Sequence, residues 1–209
     1  VPGLEDHPLP TARQLFKDFV RTDRFHGNSL VNPSARGSAA RHPGNGLRYP
    51  GGVTPHDPQR ARDLFHHGDL AGAIAEAQAL ARDKNGPDVA QALAAVAAGE
   101  WTRGLAAAER SLAKDPRDAL ARWCRAEARV GLGDPAGALA DWSWILEDDP
   151  TSRTTWKDRA LLRALTGDRE GALEDLRHVG QLSPGDVVPR LWRAGLGAPP
   201  DELVPFAAA

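Results

Sequence analysis

The chain has 209 residues, enough for one domain or for one domain with a long appendage. Its formal net charge of -2 and pI near 6.4 carry no whole-chain signature for nucleic acid or anionic membrane. No apolar run approaches the roughly 20 residues that span a bilayer, and the single cysteine, Cys124, excludes an internal disulfide.

Hydrophobic residues make up 41% of the chain, which supports a packed core. Much of that share is alanine, which suits close helix–helix packing, and the single tyrosine and scarce isoleucine argue against an all-β fold. Charge is uneven. Residues 1–60 hold 8 Lys+Arg against 5 Asp+Glu, and the remainder holds 18 against 23, so a basic front end precedes an acidic body. The sequence starts at Val1 and contains no methionine, which leads us to expect that a leading segment has been removed. An export signal or a trimmed chain would each account for this, and we lean to a periplasmic or extracellular location over the cytoplasm.

Residues 1–57 read as an N-terminal arm, since residues 1–60 contain 8 prolines and 7 glycines. One short amphipathic helix is predicted over about 12–21, with Thr11 as N-cap and Leu15, Phe16, Phe19 and Val20 on one side. From His26 to Pro55 the chain reads as irregular. Composition alone reads as disorder; if fully ordered, such a stretch needs a surface to lie on, either its own solenoid or a neighbouring molecule.

Beyond the arm the sequence repeats. Pro116, Pro150 and Pro184 recur at steps of 34, as do Gly99, Gly133 and Gly167, each glycine followed by Glu100, Asp134 or Asp168. Ala138 and Ala172 share the period, and an earlier block begins at Gly68. The reading is a pair of helices per unit. Glycine accepts the left-handed conformation that ends the first helix, and the proline step ends the second. Alanines 126, 160, 138 and 172 let the two backbones approach, and Leu139, Trp142, Leu146, Leu173 and Leu176 fill the space between units. The first helix of the second unit, near Asp88–Ala98, is about three residues short. Arg60 and Glu76, Arg125 and Asp141, and Arg159 and Asp175 all stand 16 apart, predicting an ion pair across each hairpin. In the remaining unit the two sites are Gln91 and Ala107, so base and acid are lost together.

Over about residues 58–185 this pattern resembles the tetratricopeptide repeat family: a 34-residue period, small residues at Ala126 and Ala160, the Gly-Asp turn, an aromatic at Trp142, Trp156 where the family often has tryptophan, and the loop prolines. Ile145 and Val179 depart from it where alanine is usual. The resemblance implies an all-α, right-handed solenoid of about four hairpins, spanning residues 58–197 with a capping helix over 186–197. Leu191, Trp192 and Leu196 are expected to pack back from that helix, and residues 198–209 form an extended tail. It also implies a concave groove lined by the first helices, with Arg62, His66, Val89, Leu93, Trp123, Glu127, Lys157 and Leu161 as partner-binding candidates. Trp123 has two readings, binding anchor or inter-helix core.

Signals for chemistry are weak. The seven histidines form no metal-ligand spacing, Cys124 lacks an activating motif, and no nucleotide loop or nucleophile elbow occurs. No metal, cofactor or nucleic acid is expected. The expected function is a non-enzymatic scaffold or assembly protein binding extended or helical segments in its groove. The partner is the protein's own arm, another copy of itself, or a larger complex. The alternatives are a self-polymerising extracellular fibre subunit and an accessory subunit. An enzyme would have to build its site from groove residues such as His66 and Glu127.

Overall fold

The structure, a computed structural model, describes residues 56–186 and 188–197. These lie in the second of two compact units, residues 1–48 and 49–209. The helix expected at 12–21, its Leu15, Phe16, Phe19 and Val20, and the tail from residue 198 fall outside the described residues, as does the side chain of Leu191.

Local signals set the helix ends. Asp57 caps α1 (Pro58–His66) by accepting from the Gln59 N–H, and Asp69 caps α2 (Leu70–Leu80) through Gly72. The second hairpin is α3 (Asp88–Ala97) and α4 (Trp101–Lys114). The third is α5 (Ala119–Leu132) and α6 (Pro135–Asp148), capped by Asp118 and Asp134. The fourth is α7 (Arg153–Thr166) and α8 (Arg169–Leu182), the latter capped by Asp168. A last helix, α9 (Val188–Gly195), follows. The first helix of each hairpin gives way to a glycine with positive φ: Gly68 at 78°, Gly99 at 75°, Gly133 at 86° and Gly167 at 93°. Pro116, Pro150 and Pro184 stand just past the C-caps of α4, α6 and α8.

Among the described residues every element is helical. The partners within a hairpin pack on each other, and α2 meets α3, α4 meets α5, α6 meets α7 and α8 meets α9. The helix axes close on alanine: Ala61, Ala73, Ala77, Ala90, Ala107, Ala126, Ala138, Ala160 and Ala172 are all buried. Trp142, Ile145, Leu176 and Val179 fill what remains. Ile145 and Val179, the two departures from the expected alanine pattern, are thus accommodated inside the core. Hairpins two and three also interlock through Trp101, whose ring lies on Gly131; a methyl group there would sit 2.6 Å from Cε2. Cys124 is fully buried in α5, and burial pushes its thiol pKa well up, with the nearby Asp118 and Glu127 carboxylates adding to the effect.

At the C-terminal end α9 covers α8. Trp192 and Leu196 are half-buried, and Arg169 donates from Nε to the Leu196 carbonyl at 2.6 Å and from Nη2 to the Gly197 carbonyl at 2.7 Å. This ties the last helical turn to the fourth hairpin.

Gly167 isolates the backbone requirement, because a methyl group added there meets nothing within 4 Å. Gly167→Ala is therefore expected to destabilise by about 1–2 kcal/mol through left-handed strain alone, seen as a drop of a few degrees in the thermal midpoint measured by circular dichroism.

Candidate protein-binding face

The first helices α3, α5 and α7 run side by side, α3 packing on α5 and α5 reaching α7 through Trp123, and α1 lies against α5. Arg62 of α1 reaches Asp118, the N-cap of α5, donating from Nη2 at 2.7 Å and Nε at 3.1 Å. Asp118 is buried and also accepts from the Ala121 N–H at 3.1 Å and the Ser111 hydroxyl at 3.4 Å. Three residues along α1, Phe65 lies against Trp123 with ring centroids 5.6 Å apart. The indole N–H of Trp123 then donates to Asp158 Oδ2 of α7 at 2.8 Å. The turn after α1 comes close to the fourth hairpin as well, since a methyl group on Gly68 would lie 3.6 Å from Nη2 of Arg153. The short α3 accounts for the path. It has 10 residues where α5 has 14, and its late start leaves the N-cap of α5 open to Arg62.

The eight candidates expected to line a concave groove differ in exposure. Val89, Leu93, Trp123 and Glu127 are buried, at 2%, 0%, 0% and 1% exposure. Arg62, Lys157 and Leu161 are half-buried and His66 is exposed. Trp123 takes the core reading. Asp118 and Asp158, which the sequence reading missed, are the carboxylates that tie α1 and α7 to α5. The N-cap position of Asp118 was legible, but its arginine lies 56 residues away.

The expected ion pairs divide into two kinds. Arg125 binds Asp141 through both oxygens at 2.6 and 3.0 Å, and Arg159 binds Asp175 at 2.8 and 3.0 Å. One helical turn later a second arginine joins each: Arg129 to Asp141 and Arg163 to Asp175, both at 2.8 Å. The same arginines donate to the carbonyls of Gly137 and Gly171. Asp175 is thus clamped by two guanidinium groups, and Asp141 by two with Arg122 as a third at 3.6 Å. The Asp141 contacts raise the Arg125 pKa above its ordinary value. Arg122, stacked 3.8 Å over the Trp144 ring, is pushed below its ordinary value by burial and by the neighbouring Arg125. The first pair is looser than expected: Arg60 stands 3.9 Å from Glu76 and is 58% exposed, while Glu76 accepts from the Asp57 N–H at 2.9 Å. In the second unit Gln91 instead donates to the carbonyls of Lys84 and Gly86.

Among the described residues no cluster of three His, Cys, Asp or Glu side chains is placed to hold a metal, and no helix is long and apolar enough to cross a membrane.

Antiparallel hairpins of 34-residue period, with glycine ending the first helix and alanine at the crossing points, define a tetratricopeptide-like solenoid. Among solved structures, the chain resembles "MamA RS-1 ArsTM double mutant", at 15% identity and a TM-score of 0.50, covering 65% of this chain and 78% of that one. A tetratricopeptide repeat protein from Parabacteroides merdae ATCC 43184 matches at 20% identity and a TM-score of 0.49 over 66% of this chain, which spans 56% of the length of that protein. No protein-family model matches the sequence, and a search of the curated proteins returns no match.

Two measurements test the electrostatics. Asp141→Ala leaves Arg125 and Arg129 without their buried carboxylate and should cost about 3 kcal/mol, whereas Arg60→Ala, at an exposed pair, should change stability by less than about 0.5 kcal/mol; chemical denaturation reads both. The second concerns Asp88, held below its ordinary pKa of 3.8 mainly by the Lys114 ammonium at 2.6 Å, with Arg110 adding to it and burial opposing. A carboxyl lowered on folding contributes stability that is full above its unfolded pKa and is lost as pH falls through the lowered value. The stability gap between the parent and Asp88→Asn should therefore be widest near neutrality and close on acidification below about pH 4.

Proposed function

We propose that this chain is a non-enzymatic protein–protein interaction scaffold that holds helical or extended polypeptide segments on its first-helix face, an N-terminal arm from a neighbouring copy among them. One observation carries this reading: α1 is itself a helical segment seated on that face by an arginine and an aromatic ring. Beneath α1 lie the two elements such recognition needs, the aromatic ring of Trp123 and the buried carboxylate of Asp118, each engaged by α1 in this structure. The acidic balance of residues 61–209 suits a basic segment such as residues 1–60. The solved structure at a TM-score of 0.50 supports the fold on which this rests, and its likeness is one of fold alone.

Removing residues 1–55 tests the reading. Light scattering on the full chain should give a mass that rises with concentration, and the chain beginning at His56 should stay at the mass of one copy with a lowered thermal midpoint in the concentrated sample. Unchanged mass and unchanged stability would sink it. Electron microscopy of the full chain separates filaments, which favour a fibre subunit, from discrete particles, which favour an accessory subunit.

A further inference from the structure

The segment that closes the face has a near-copy elsewhere in the chain. Of the five phenylalanines, two stand three residues after an arginine: Phe65 after Arg62 and Phe16 after Arg13. The surrounding runs are Ala61-Arg62-Asp63-Leu64-Phe65 and Ala12-Arg13-Gln14-Leu15-Phe16, differing only at Asp63 and Gln14. The structure shows what the first run does. Arg62 takes the buried Asp118 carboxylate at 2.7 Å, and Phe65, itself buried, covers Trp123. Residues three apart on a helix share a side, so the spacing lets arginine and phenylalanine reach one site together. The differing residue takes no part in that contact: the Asp63 carboxylate accepts from Gln59 Nε2 of its own helix at 3.0 Å, and its carbonyl accepts from the His67 N–H. Replacing it by glutamine leaves every group that faces α5 in place.

We infer that the run Ala12–Phe16 of one copy docks at the Asp118–Trp123 site of a second copy, displacing that copy's α1. This inference rests on the scaffold reading above and names the segment held. Arg13 supplies the guanidinium for Asp118 and Phe16 the ring over Trp123. Charge favours the exchange, because residues 1–60 carry a basic excess and the site centres on a carboxylate. Each copy then has one donor run and one acceptor site, so the contact is head-to-tail and extends from copy to copy. Within a resting chain α1 occupies the site and acts as its built-in competitor.

The test uses full-length protein with p-benzoylphenylalanine at position 16 in light copies, mixed with heavy-isotope copies that lack the probe. Photocrosslinks should join light to heavy chains and map to α5 of the acceptor. Phe65→Ala in the acceptor should raise their yield about tenfold, the effect of removing one buried aromatic anchor from the competitor. Arg62→Gln, a milder change in case Phe65→Ala fails to fold, should move the yield in the same direction, and Arg13→Glu in the donor should abolish it. Crosslinks confined within single chains would overturn the exchange between copies. Crosslinks to a first helix other than α5, or a yield indifferent to Arg62→Gln, would overturn the site and leave the scaffold reading standing. No crosslink to any first helix would overturn both.

Discussion

A helical hairpin of two short amphipathic helices has apolar surface on both broad sides and can bury neither alone. Every larger feature of this molecule follows from that constraint. Hairpins stack so that the second helix of one covers the next, and alanine at the crossing points brings the backbones together. After the fourth hairpin α9 takes the covering role and Arg169 fastens it.

Within that stack the buried aspartates act as spacers with fixed geometry. A carboxylate inside a protein needs its charge and lone pairs matched, and arginines of the partner helix match both Asp175, with two, and Asp141, with three. Arg159 links hairpins as well, since its Nη1 donates to the Ser143 hydroxyl at 3.0 Å. The same logic governs α1. Asp118 is too buried to remain unmatched, and Arg62 is the cation that reaches it.

The closure by α1 changes what the face can be. A tryptophan in an open groove would advertise a binding site; here Trp123 is covered by Phe65 and its indole N–H is already bound to Asp158. α1 therefore presents to α5 a guanidinium and a ring from one side of a helix. On the proposed reading, recognition and self-closure use the same groups, which would link a partner's affinity to the hold of α1 on its own chain.

The repeat was legible in the sequence because its signals are local. Glycine after the first helix, aspartate at the next N-cap and proline past the second helix each act within a few residues, and their shared period of 34 gave the hairpins. The pairs 16 apart were legible for the same reason, since both partners lie in one hairpin, although the second arginine of each clamp, Arg129 and Arg163, escaped notice at the same period. The relation between hairpins was not legible. Whether Trp123 lines a groove or sits beneath a helix depends on how the first hairpin meets the third. The contacts that decide it join distant units: Arg62 with Asp118, Phe65 with Trp123, Trp123 with Asp158. The sequence by itself determined the hairpins, because turns and caps are short-range chemistry; only the tertiary structure decided which face stays open, because small rotations between stacked units add up and no local pattern encodes their sum.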